Sequence, residues 1–132
     1  MKPLVVVRKV PLSQEEAFAR ITDWERHADA MPATTVRITE TGFVVRQSVG
    51  RVVMDDPMDV VTWEPPRFVR VEKRGRVILG WAEITVEPDG DGSVVTWREV
   101  AHVRGVPRFL AGAERAAGRL LFGRLLTHLT RS

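Results

Sequence analysis

"PLSQEEAFARITDWERHADAMP", Pro11 to Pro32, holds two helix-start signals nine residues apart. Ser13 stands three residues before Glu16, and Thr22 three before Glu25. In each pair a hydroxyl can accept from one backbone N–H while the glutamate returns to the other, which is a capping box. Two boxes predict that the chain closes one helix and opens a second, short one. Phe18 and Ile21 share the buried face of the first. In the second, Trp24, Ala28 and Met31 fall on one face at i, i+4 and i+7, with Glu25, Arg26 and Asp29 opposite. Pro32 ends it, because the residue before a proline avoids helical angles.

Outward from this stretch the texture changes. Before it, "PLVVVRKVPL" is rich in β-branched residues and reads as a strand. After it, six period-2 segments follow: "TVRITETG", "FVVRQSVGRVVM", "MDVVTWEPP", "FVRVEK", "VILGWAEITVEPDGDG" and "SVVTWREVAHVRG". The breaks fall at Asp56-Pro57, Pro65-Pro66, residues 73–76 and residues 88–92, where Pro, Gly and Asp supply turn chemistry. Short connections favour an antiparallel meander. The last segment is helical from Pro107 onward. Phe109, Ala113, Ala116, Leu120 and Leu121 form a stripe continued by Leu125 and Leu129, and Arg108, Arg115, Arg119 and Arg124 take the other side. Gly112, Gly118 and Gly123 weaken that helix in isolation, so it needs a surface to pack on. A curved antiparallel sheet offers one.

The chain is 132 residues long with 44% apolar and 28% charged residues, as expected for a single globular domain, 1–132. It has no cysteine, which excludes disulfides, thiolate catalysis and Cys-ligated metals. No apolar run approaches the ~18 residues of a membrane span, and the N-terminus has no signal-like h-region. The expected location is cytoplasmic. The net charge of +3 is uneven: residues 102–132 carry six arginines against one acid, whereas residues 1–101 carry sixteen acids against fourteen bases.

The order strand, two short helices, six strands, long helix resembles the helix-grip fold of the START/Bet v 1-like (SRPBCC) superfamily. The nearer likeness is its bacterial polyketide cyclase/dehydrase or lipid-transport branch. The stretches that carry it are "PLSQEEAFARITDWERHADAMP", "DDPMDVVTWEPPRFVRVEK" and "GWAEITVEPDGDGSVVTWREV", and it covers essentially the whole chain. The resemblance implies an α+β fold in which the long helix packs on the sheet, with an apolar ligand between them. It leaves open whether the protein is a binding module or a cyclase/dehydrase-type enzyme.

Within that frame, Trp24, Met31, Trp81, Trp97 and Leu121 are expected to supply apolar wall. Arg46 and Glu99 are expected to orient one polar group of the ligand. Val95, Trp97, Glu99 and Ala101 alternate onto one face of the last strand, which would bring Glu99 to the cavity edge, with Arg46 or Arg70 as its partner. On "VILGWAEITV" the small residues Gly80 and Ala82 would leave room for a ligand, unless Phe109 fills it. No catalytic residue is assigned; the candidates are Glu99 and His27, the latter competing with a partly exposed helix histidine. Asp55 and Asp56 are explained by a turn, and adjacent strand residues would in any case face opposite ways. No HxH or HExxH spacing points to a metal, and no motif implies a cofactor. The expected partner is a small hydrophobic molecule, with a homodimer left open. Nucleic acid is not expected, nor is membrane insertion, although the basic C-terminal helix could touch an anionic lipid surface or a protein partner.

Overall fold

In the computed structural model, residues 2–31 and 33–130 are described. The helix stop assigned to Pro32 and the outward side chain assigned to Arg108 lie outside the described residues. Strand β1 (Leu4–Val10) leads into helix α1 (Gln14–Ile21) and a 3-10 segment (Trp24–Ala30). Six strands follow: β2 (Thr34–Ile38), β3 (Gly42–Val49), β4 (Val52–Glu64), β5 (Phe68–Lys73), β6 (Ile78–Asp89) and β7 (Gly92–Val103). Helix α2 (Ala111–Leu129) ends the chain, after a short 3-10 turn, Arg108–Leu110. The seven strands form one curved antiparallel sheet in the order β1-β7-β6-β5-β4-β3-β2. α2 lies on its concave side against β1, β7 and the 3-10 segment.

Ser13 caps α1 as expected, its Oγ accepting from the Glu16 N–H at 3.2 Å. Thr22 does not open the next helix. Its hydroxyl donates back to the Phe18 carbonyl at 2.8 Å and closes α1, and Asp23 becomes the next N-cap with no side-chain bond. A threonine hydroxyl one turn beyond a helical carbonyl readily makes that back-bond. The second helix is therefore of 3-10 type. Three residues per turn bring Trp24, His27 and Ala30 to one side, and this carries His27 inward.

The strand count agrees with the sequence, but one break moves. "FVVRQSVGRVVM" folds on itself at Gly50, whose φ of +60° suits a tight turn, with Val49 opposite Val52. The turn expected at Asp56-Pro57 is absent, and β4 runs straight through. In a strand, N–H and C=O of one residue point the same way. β5 pairs with β4 only as far as Met58 opposite Lys73. The missing N–H of Pro57 thus faces a place where no ladder bond is required, while its carbonyl accepts from the Arg74 N–H at 2.8 Å.

The core joins Leu4, Val6, Phe18, Ile21, Ile84, Val86 and Val95 to Leu125, Leu126 and Leu129 of α2. The expected helix stripe is only half right. Leu125 and Leu129 are buried, but Phe109 is 83% exposed and Leu120 58%. Ala113 and Ala116 are exposed as well. α2 instead meets β1 through its glycines: a Cβ on Gly118 would lie 2.6 Å from Leu4 Cδ2, and one on Gly123 2.7 Å from an Arg8 guanidinium nitrogen. The close approach turns the small-residue side, and not the Phe109–Leu120 side, toward the sheet.

Candidate ligand-binding site

Between the concave sheet face, the 3-10 segment and α2 lies a cavity of about 310 Å³. That is within the range of small-molecule pockets. Strand alternation supplies its floor: Ala82 and Ile84 from β6, Val71 from β5, Met58 from β4, and Phe43 and Val45 from β3. Two aromatic stacks form its sides. Trp24 lies on Phe43 with ring centroids 4.5 Å apart, and Trp97 on Phe122 at 5.1 Å. His27 sits between the two tryptophans, 5.4 Å from Trp24 and 6.0 Å from Trp97.

His27 is buried. Its Nε2 lies 2.8 Å from the Ile21 carbonyl, which can only accept, so the proton resides on Nε2. Burial holds its pKa below the ordinary value, against the opposing pulls of that carbonyl and of Asp23. It is a neutral imidazole in the cavity wall, not the partly exposed helix residue that competed for this position.

One wall carries charge. Glu99 on β7 is 3% exposed, and its Oε1 accepts from the Trp97 indole N–H at 3.3 Å. Its Oε2 is buried with no partner among the described residues. Burial pushes its pKa up to about 7, against the Lys73 charge and the Trp97 N–H. Lys73 on β5 donates to Asp56 Oδ2 at 2.8 Å, and its side chain is 4% exposed. Asp56 Oδ1 has no partner either, and burial raises the Asp56 pKa despite Lys73. These three residues and Gln47 line the same cavity.

Of the residues singled out from sequence, Trp24, Met31, Trp97, Glu99 and Leu121 line this cavity. Arg46 and Trp81 do not. Arg46 faces solvent and holds Asp55 at 2.7 Å on the outer sheet surface. Trp81 lies under Arg70, whose guanidinium carbon is 4.7 Å from the ring centroid, and Arg70 is engaged by Glu83 and Glu72. Neither arginine pairs with Glu99. Both errors are of strand face: Arg46 alternates outward with Val45 inward, and Trp81 outward with Ala82 inward. Gly80 has φ +135°, and a Cβ there would collide with the Val100 carbonyl, so its smallness serves the backbone and not the cavity. Phe109 is far too exposed to fill the space.

Sequence reasoning missed Asp56, Lys73, Phe43 and Phe122. For Lys73 the signal was present, since Val69, Val71 and Lys73 share a period-2 face. At the mouth, Glu114 ties α2 to β7, with one oxygen 3.0 Å from His102 Nδ1 and the other accepting from the Val103 N–H at 3.2 Å. Among the described residues no group of three or more His, Cys, Asp or Glu is gathered as a metal would need. No described helix is long and apolar enough to cross a membrane.

The comparisons with known proteins agree with this geometry. The family model described as polyketide cyclase/dehydrase and lipid transport matches residues 1–132. Among solved structures, the XoxI protein from Bacillus cereus superposes with a TM-score of 0.76 at 14% identity, covering 99% of this chain and 94% of that one. The protein TTHA0849 from Thermus thermophilus gives 0.74 at 13% identity, over 97% and 94%. The Bet v 1-like protein Ara h 8.0201 gives 0.70 at 10% identity, over 98% of each chain. At such identities the likeness is one of fold. No curated protein matches the sequence significantly. With the helix-grip architecture and the full-length match together, the chain belongs to the polyketide cyclase/dehydrase and lipid-transport family of the SRPBCC superfamily.

Proposed function

We propose that the protein binds one small hydrophobic or aromatic molecule between the sheet and α2. The observation that carries this reading is the cavity itself: about 310 Å³, walled by two aromatic stacks, with buried Asp56, Lys73 and Glu99 on one side. A core built only for stability would be filled, since voids in packed interiors are costly. Trp24 and Trp97 report occupancy directly. Quenching of tryptophan fluorescence by 2-naphthalenemethanol should saturate, and Ala101→Phe, which puts a ring into the lining, should weaken the apparent affinity about tenfold or more. Equal affinity in the two proteins would place the probe elsewhere and refute the reading.

A second reading is enzymatic and rests on Glu99. A carboxyl at about pKa 7 in an apolar cavity is matched to moving a proton at neutral pH, as enolisation or dehydration of a polyketide-like carbonyl compound requires. Glu99→Gln should then abolish turnover of such a compound while the compound still binds. Unchanged turnover would remove Glu99 from the chemistry.

A further inference from the structure

The cavity has an excess of acceptors. Two carboxylate oxygens of lining residues, Glu99 Oε2 and Asp56 Oδ1, are buried with no hydrogen-bond partner among the described residues. A buried acceptor left unsatisfied is destabilising, so each marks a place for a donor. The lysine between them in strand order is already committed to Asp56 at 2.8 Å, with Met58 Sδ at 3.9 Å. The register places Glu99 opposite Ala82, Ala82 opposite Val71, and Lys73 two residues along β5 from Val71. Glu99 and Lys73 are thus two strand spacings and two residues apart, about 12 Å at the backbone. No long side chain lies between them, since Ala82 and Ala101 line that part of the floor.

Three classes of polar group could meet this wall. An anionic group would join two carboxylates around a lysine that is already neutralised. A neutral hydroxyl can donate only one hydrogen bond. An ammonium brings up to three donors and the opposite charge, and it sits well against aromatic faces. The Trp97–Phe122 stack adjoins the charged wall, Trp97 through its own hydrogen bond to Glu99, and the Trp24–Phe43 stack lines the same cavity.

We propose that the bound molecule is an arylalkylamine in its cationic form, its ring against Trp97 and Trp24 and its ammonium against the unpartnered oxygen of Glu99. This rests on the binding reading above and names the ligand class within it. At Glu99 the Lys73 charge outweighs that of Asp56, so the carboxylate itself, and not the wider wall, supplies the attraction for the ammonium. Near neutral pH part of the Glu99 population carries a proton. Seating the ammonium on the carboxylate expels that proton to solvent, while the amine keeps its own. The other ionisable groups that line the cavity are Asp56 from β4, Lys73 from β5, Glu114 from α2 and His27 from the 3-10 segment. Lys73 is paired, Glu114 is bonded at the mouth, and His27 is held neutral by burial.

The test is calorimetric titration of the full chain with three probes of one shape: 2-naphthylmethylamine, 2-naphthalenemethanol and 2-naphthoate. At pH 7 the amine should bind about tenfold or more tighter than the alcohol, with the carboxylate weakest. Titrations of the wild type in two buffers of different ionisation enthalpy should show net proton release with the amine and none with the alcohol. In Glu99→Gln the preference for amine over alcohol should collapse toward one. The proton-release measurement needs no variant and stands if Glu99→Gln fails to fold. An alcohol or carboxylate that binds as well as the amine, or amine binding without proton release, overturns the inference and leaves the binding reading standing. If none of the three binds, both fall.

Discussion

Glu99 is the residue on which the chemistry of the cavity turns, and its environment has a thermodynamic signature. Its folded pKa is raised to about 7 from an ordinary 4.5. The folded state therefore binds more protons than the unfolded chain between those values. The stabilising contribution of the protonated group is complete below about pH 4.5 and is lost as pH rises through about 7. The loss is on the order of 3 kcal/mol. His27 works the other way: its depressed pKa removes stability as pH falls below 6.5, where the unfolded chain takes up a proton. The two slopes oppose, so the wild-type profile alone is uninformative. The difference in urea-unfolding free energy between wild type and Glu99→Gln isolates the glutamate. It should shift in favour of the variant by about 2–3 kcal/mol from pH 5 to pH 8; a flat difference would mean that Glu99 titrates normally. Lys73 makes a second case. Removing its charge by Lys73→Met leaves Asp56 buried and unpaired, and chemical denaturation should show a loss of about 3–5 kcal/mol at pH 8. A loss below about 1 kcal/mol would show that the pair is solvated. The inward face of Glu99 was readable from the alternation of Val95 and Trp97 around it. That of Lys73 and Asp56 was equally periodic, but turn chemistry at residues 73–76 and at Pro57 outweighed it. What sequence could not supply was the end of β5 opposite Met58, which lets a proline sit inside β4.

At the scale of elements, α2 shows where periodicity runs out. Its apolar residues are numerous enough to support more than one stripe, and the side facing the sheet is chosen by the close contacts of Gly118 and Gly123 with β1. Glycines that look like helix defects in sequence are the contact surface in the fold. Phe109 and Phe122 are interchangeable by hydropathy, yet Phe109 is 83% exposed while Phe122 stacks on Trp97. Phe109→Ala should therefore change stability by no more than about 0.5 kcal/mol, and Phe122→Ala should cost about 3 kcal/mol. Thermal or urea unfolding of the two variants reads this directly. Comparable losses would mean that α2 packs in the other rotation. The 3-10 segment teaches a similar point. Capping boxes correctly predicted two helical pieces, but the fold closes the first with Thr22, and the tighter winding of the second moves His27 from the rim to the wall.

For the whole molecule, strand count, sheet class and the long covering helix were all legible, because each rests on local periodicity and turn residues that tertiary contacts reinforce. The site was legible where it lay inside an unbroken strand, as at Trp97 and Glu99, or on a large apolar residue of a helical stretch, as at Trp24, Met31 and Leu121. Its charged wall is assembled from β4, β5 and β7, and no short sequence window contains it. The fold serves this cavity by packing α2 on β1 and β7 so that Glu114, Ala117 and Gly118 of its first half wall the cavity, while Leu125, Leu126 and Leu129 of its second half close the core. That division makes a small chain both stable and hollow. The most direct measurement is native mass spectrometry of the intact protein, as purified and after addition of excess 2-naphthalenemethanol. The expected result is a single small-molecule adduct, released on collisional activation and diminished in Ala101→Phe. Only the bare protein mass under both conditions would contradict the proposal that this cavity holds a ligand.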